Sequence, residues 1–452
     1  MGYNAGTRGD AGLPDYGVLQ ELSGKGLRVR EMWRTPAGRG FILLSVMLAT
    51  LGFAFNAHSN ILTNFFDESL KLTGPQFGYM AAVREAGGFF IMFLTALFYR
   101  VSLQHLAAGA TVVVAVGFAL FPLAHDFVSV IPWVLVASFG MHAVFQTQPA
   151  LTLSLTTTAK SGAIMGRMGA MSQGGTLAAL VMVFITFKFG WLSYRPMFII
   201  LGGVAFLGAL AIVRFPHLHE GQPRKTAPKR QPLVWSRYYH LYYWLCMLDG
   251  IRQQVFFSFG LWVLVNRFGL GVADISLVLL TVTFASIFTT PWFGRALDRF
   301  GERRTLSIIN IAFIGALAGY ALSNSVVPAC LFYCVYALIA PVAYMCGSTY
   351  LRRICAPRDL APSLAMGLTI AHATAIVVPV ATGYILNFVG YQVPFYAACG
   401  VAVITFFVTL RLDPAGQRSP GRIAADEEAD LEARSRVKPA TEAAASESTA
   451  GA

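Results

Sequence analysis

Apolar runs long enough to cross a bilayer follow one another along this chain, with only short polar breaks between them. About 20 apolar residues are what a helix needs to span the hydrocarbon core. Helix is the expected form, because backbone inside a bilayer must satisfy its own hydrogen bonds and an α-helix does so within one segment. A barrel would instead read as short alternating segments. The pattern predicts an all-α membrane protein with twelve spans, near residues 41–66, 76–99, 103–123, 127–150, 162–188, 193–214, 240–266, 274–296, 304–322, 326–350, 361–387 and 390–411.

The breaks organise these spans. A basic, Pro-containing stretch at 215–239 reads as a cytoplasmic linker dividing them six and six. The expected order is a cytoplasmic segment (1–40), a six-helix bundle (41–214), the linker (215–239), a second six-helix bundle (240–412) and a disordered cytoplasmic tail (413–452). The tail is expected to be disordered or a frayed helix because its mixture of Ala, Glu, Ser and Pro is poor in groups that bury a core. The two halves align at one constant offset. Lys160 matches Arg358, Met168-Gly169 matches Met366-Gly367, and Pro196 matches Pro394, as a duplicated bundle would.

Composition fits this picture: 56% of residues are apolar and 12% charged, against about 25% charged in soluble domains. The net charge of +12 could indicate nucleic acid, but its placement argues otherwise. Of the 34 Lys and Arg residues, only Lys71, Lys188, Arg195 and Arg267 fall in loops opposite the termini, and Arg84 and Arg252 fall well within spans. The rest lie on the side of the termini or at the inner ends of spans. That asymmetry is the positive-inside rule. It puts both termini in the cytoplasm and leaves no nucleic-acid partner. The first 40 residues carry no cleavable signal pattern. The absence of N-x-[ST] sequons fits a bacterial inner membrane. Cys330 and Cys334, four apart, have no His or acid nearby in sequence and read as packing residues, so no metal or cofactor is expected.

Charge within a span is costly and generally functional. Glu85 and Asp249 are the acids there, Arg84 and Arg252 the bases. Asp249, Arg252 and Gln253 share one helical face by their spacings of three and four, and Tyr242 and Cys246 extend the stripe. Two readings stand side by side: Arg252 attracts an anionic group while Asp249 takes up a proton, or the two form a structural ion pair. Arg84 and Glu85 point about 100° apart on their helix, so each is expected to find a partner on another helix or to face a cavity. The first span carries a polar stripe of Asn56, Ser59, Asn60, Thr63 and Asn64, and His58, off that stripe, reads as a packed histidine. His142 and Gln146 lie one turn apart in the fourth span, and Gln146 aligns with Tyr344 at the repeat offset. His372 is the ionisable residue of the eleventh span.

One loop carries a family pattern. GRALDRFGERR, from Gly294 to Arg304, joins two apolar runs. It resembles the signature loop of the major facilitator superfamily of transporters, roughly G-x-x-x-D-[RK]-x-G-x-[RK]-[RK]. Gly294, Asp298, Arg299, Gly301, Arg303 and Arg304 fill it, and Glu302 stands where the family often has a basic residue. In the first half the corresponding stretch, Ala96 to Arg100, has lost the pattern. The resemblance implies two parallel six-helix repeats that rock about a midplane site, and a gating role for the loop, with Asp298 held by a neighbouring helix N-terminus and nearby arginines. It also implies that the seventh helix lines the cavity and that the second packs against the eleventh. On that footing Asn56, Asn60, His142, Gln146, Arg252, Gln253 and Tyr344 are the expected solute-binding residues, and Glu85 and Asp249 the proton-coupling ones. Arg84 and His372 are expected as intramembrane charges or a lock between halves, with a Glu85–His372 contact conceivable.

The expected function is secondary transport of a small organic solute, anionic or zwitterionic because of the intramembrane arginines, with protons as the coupling ion and the protein acting as a monomer. Two rivals remain: a multidrug or metabolite efflux pump on the same fold, and a non-transporting receptor or scaffold. The fifth span, GAMSQGGTLAAL, lacks the Gly-Pro-rich motif of many drug exporters. There is no G-K-[ST] loop for ATP, and no H-E-x-x-H or G-x-S-x-G, so no enzymatic activity is expected.

Overall fold

A computed structural model describes residues 29–97, 101–155, 161–216, 234–429 and 431. Among them the secondary structure is helical, with no strand. The long helices are α1 (Pro36–Asn64), α2 (Gly74–Leu97), α3 (Leu103–Leu120), α4 (Phe127–Leu153), α5 (Ser161–Lys188), α6 (Tyr194–Ile212), α7 (His240–Asn266), α8 (Val272–Leu322), α9 (Val326–Ile354), α10 (Leu360–Val389) and α11 (Gln392–Leu410). By length and composition, nine helices among the described residues can cross a membrane. The apolar rhythm of the sequence thus becomes helices. Expectations placed on residues 1–28, 98–100, 156–160, 217–233 and 432–452 lie outside the described residues.

Helix ends follow local chemistry. Thr35 caps α1, its hydroxyl accepting from the Gly38 amide at 3.1 Å, with Pro36 in the first turn. Asp126 and Ser129 form a capping box on α4. The Ser129 amide and hydroxyl hold the Asp126 carboxyl below the usual carboxylate range. The eighth and ninth spans form one helix, α8, bent at Gly301, which has φ 74° and ψ 170°. Only glycine enters that region without strain. A Cβ at Gly301 would meet nothing within 4 Å, whereas one at Gly294 would sit 4.0 Å from Met345 Cε. Gly301→Ala should therefore cost about 1–3 kcal/mol from backbone strain alone. Gly294→Ala should not lower stability, and thermal unfolding of the two variants in detergent separates the cases.

The chain divides into two compact units. The first holds residues 1–72, 83–228 and 270–280, and the second holds 73–82, 229–269 and 281–452. The boundary is therefore not the linker alone, because the start of α8 belongs to the first unit and the start of α2 to the second.

In the first unit α1 packs on α5 and α6, and α3 on α4 and α6. Small residues set these approaches, as in membrane bundles generally. Gly52 faces the Ser172 carbonyl, and Gly175 faces that of Ala49. His58 is enclosed by aromatic rings, stacked on Phe118 at 4.0 Å and flanked by Phe121 and Phe198. In the second unit α7 is central and packs on α9, α10 and α11. The start of α2 lies on α10, with Gly74 at Gly383 and Gly78 at Pro379.

The segment after α11 takes the helical one of the two forms expected for it. Residues 413–429 are ordered, and 420–429 are helical. The physical reason is a set of local bonds that composition conceals. Ser419 accepts from the Arg422 amide, Pro420 starts the helix, and Arg422 pairs with Asp426 one turn on at 2.9 Å. The segment also completes α9: the Ser419 amide donates to the Ile354 carbonyl at 2.8 Å, and Tyr350 Oη donates to Gln417 Oε1 at 2.7 Å. An orphan carbonyl at a helix end thus gains a donor.

Candidate functional site

The stripe read on the seventh span faces a cavity of about 410 Å3 inside the second unit. Tyr242, Cys246, Asp249 and Gln253 all line it from α7. Spacings of four, three and four keep them on one face. Asn310 from α8, Tyr344 and Ser348 from α9, Gly367 from α10 and Thr405 from α11 close the other sides. Gly367 is required for the shape: a Cβ there would strike the Tyr242 hydroxyl and lie 2.9 Å from Cys246 Sγ. Tyr242 is buried, whereas Tyr344 is 68% exposed.

Asp249 and Arg252 are ion-paired, and Asp249 Oδ2 also accepts from Gln253 Nε2 at 2.8 Å. Arg252 is fully buried and does not line the cavity. Its guanidinium carbon lies 3.4 Å from the centre of the Phe313 ring, and Nη1 donates to Tyr336 Oη at 2.8 Å. Phe256 stacks on Tyr336 at 3.6 Å and backs the group. A desolvated cation over an aromatic face gains about 2 kcal/mol, and the carboxylate beside it balances the charge. Of the pair expected here, the acid reaches the cavity and the base stands behind it.

The first unit uses its candidates differently. Asn56 donates to Thr176 Oγ1 of α5 at 2.8 Å and to the Gly52 carbonyl at 2.9 Å. Asn60 donates to Ser276 Oγ at 2.7 Å. Asn64 donates to the Leu270 carbonyl and to Glu68, each at 2.9 Å. The stripe holds helices of its own unit together through side-chain hydrogen bonds, a common membrane device. His142 lies against Gly88 of α2, where a Cβ would approach its ring within 2.6 Å, and Gln146 is exposed. Arg84 and Glu85, expected to turn apart, are in ion-pair contact at 3.4 Å. Long side chains bridge the angle between neighbouring Cβ atoms. Arg84 is 47% exposed, so the pair is weak. His372 is half-buried in α10.

In the signature loop, Asp298, Arg299, Arg303 and Arg304 are exposed and Gly301 makes the bend. The departure from the pattern has its own partner: Glu302 is 1% exposed and lies 2.8 Å from Arg353 Nε of α9. Among the described residues no cluster of three or more His, Cys, Asp or Glu could hold a metal.

Sequence reasoning missed Asn310, Ser348 and Thr405. Asn310 and Thr405 were detectable as single polar residues within apolar runs, SIINIAF and AVITFF, but nothing in the sequence aims them at α7.

Residues 242–446 match the family model described as Major Facilitator Superfamily. No curated protein matches the chain. A point mutant of the nucleoside transporter NupG superposes with a TM-score of 0.70 at 15% identity, covering 82% of this chain and 99% of that one. A bacterial homolog of the human lysosomal transporter Spinster superposes with a TM-score of 0.66 at 12% identity, covering 85% and 99%. At these identities the likeness to the solved structures is one of fold. With the match over the second half, it bears out the resemblance first read from Gly294–Arg304.

Proposed function

We propose, from the family-model match over residues 242–446 and the shared fold, that this chain is a member of the major facilitator superfamily and a secondary transporter of a small organic solute. Twelve helices cross the membrane in two six-helix repeats with both termini cytoplasmic. The protein sits in a bacterial inner membrane. Transport proceeds by alternating access, with the cavity of the second unit on the solute path. The observation that carries this reading is the placement of a carboxylate, Asp249, on the wall of a cavity otherwise lined by uncharged groups, with its counter-ion behind it. A relative described as a nucleoside transporter shares the fold, which supports solute transport as the class.

Asp249 is also the group we assign to proton coupling. Protonating it breaks the pairing with Arg252, so one proton alters the charge balance at the cavity wall. Asp249→Asn retains an oxygen for Arg252 but does not titrate. In proteoliposomes it should lose accumulation driven by an imposed pH gradient and keep solute exchange at zero gradient. Accumulation at the wild-type level would remove Asp249 from coupling. If the wild-type protein moves no solute from a broad panel, the transporter reading itself fails.

A further inference from the structure

The cavity of the second unit holds two buried polar groups that the protein itself leaves unpaired. One N–H of each lining amide is spent within the protein: Gln253 Nε2 donates to Asp249, and Asn310 Nδ2 donates to Thr409 Oγ1 at 3.2 Å. The Thr405 hydroxyl donates to the Val401 carbonyl at 2.7 Å. Acceptors remain. Asn310 is 1% exposed, and its Oδ1 has no partner. The Ser348 hydroxyl oxygen is likewise buried and unpartnered. A buried polar atom left unpaired costs about 1–3 kcal/mol, so a ligand that pairs it gains correspondingly.

Charge narrows the class further. Among the described residues no Lys, Arg or His lines the cavity, and its carboxylate is balanced by Arg252. An anionic solute finds no cation on the wall. A cationic solute loses its hydration against a carboxylate that is already paired. The remainder of the wall is apolar or aromatic, with Tyr242, Phe257 and Tyr344 offering ring faces. Resting on the transporter reading above, we infer that the solute is a neutral, ring-bearing molecule that carries hydrogen-bond donors, recognised by Asn310 Oδ1 and Ser348 in the cavity formed by α7 to α11. This replaces the anionic or zwitterionic solute expected from Arg252.

The test uses the purified full-length protein. A panel holds equal numbers of neutral, anionic and cationic ring compounds built on shared scaffolds, such as tyrosol, 4-hydroxyphenylacetate and tyramine, or uridine and its 5′-monophosphate. Ligands that bind the folded state raise its unfolding temperature, and counterflow in proteoliposomes reports transport. The expected result is that the strongest stabilisers and counterflow substrates are neutral and donor-bearing. Asn310→Leu should weaken the best of them by about tenfold, the loss of one hydrogen bond. Ser348→Ala, a smaller change that leaves packing intact, should weaken it several-fold with an unchanged ligand-free unfolding temperature. The inference is overturned if the strongest ligand is anionic or cationic, if neither substitution weakens binding, or if nothing on the panel stabilises the protein. Counterflow of an anion would overturn this inference and leave the transporter reading standing. Absence of any transport would overturn both.

Discussion

Arg252→Met should unfold the second unit rather than slow transport in a folded protein. Arg252 is fully buried, and its positive charge is balanced by Asp249, by the Tyr336 hydroxyl and by the Phe313 ring. Removing it leaves a carboxylate with Gln253 as its other side-chain partner in a poorly hydrated wall. Breaking a buried pair from one side costs about 3–5 kcal/mol, because the surviving charge is stranded. Replacing both members is another matter, since apolar residues of similar volume restore the balance and are often neutral or stabilising. The double variant Asp249→Leu with Arg252→Met should therefore recover most of the unfolding temperature that the single variant loses. It should not recover transport, because the titrating group is gone from the cavity wall. Thermal unfolding in detergent paired with proteoliposome uptake gives both readings. Equal destabilisation by the single and double variants would refute the balance argument.

Glu302→Lys should destabilise the protein even though it moves the loop toward the family pattern. The side chain at that position is buried, and its carboxylate meets Arg353 at 2.8 Å. A lysine there places two cations together and takes one of them out of water. Arg353 is 54% exposed and keeps much of its hydration. The cost is therefore expected at the low end for a broken buried pair, about 3 kcal/mol. Exchanging the charges, Glu302→Arg with Arg353→Glu, should restore part of the loss. Arg304→Ala, an exposed member of the same loop, should change the unfolding temperature little. If Glu302→Lys is as stable as the unsubstituted protein, the pair contributes nothing and the departure from the family pattern is incidental.

The spans were legible because a bilayer requires long apolar segments and the sequence supplies them with little else. The same held for the α7 stripe. Tyr242, Cys246, Asp249 and Gln253 share a face by spacing alone, and all four line the cavity. Arg252 shared that stripe in the sequence and left it in the structure, because Phe313 and Tyr336 draw it between helices. Those partners lie some way along the chain and carry no local signal. The α1 stripe was visible for the same reason as the α7 stripe, and its use was hidden for the same reason as the turn of Arg252. A row of asparagines facing a cavity and a row bonded to Thr176, Ser276 and the Leu270 carbonyl have one sequence pattern. For the segment after α11, composition left disorder and helix both open. Its cap and its Arg422–Asp426 pair were present in the sequence as Ser419-Pro420 and a four-residue spacing.

Asn60 and Asn64 bond to Ser276 and to the Leu270 carbonyl across sequence separations of 216 and 206 residues. Ribosomes add about 5–20 residues per second, so these partners are synthesised on the order of 10 to 40 s after the amides that need them. Until then the first unit lacks two of the bonds that complete it. A nascent chain that stops at the linker never receives Leu270–Leu280. Such a chain leaves Asn60 without Ser276 and Asn64 without the Leu270 carbonyl.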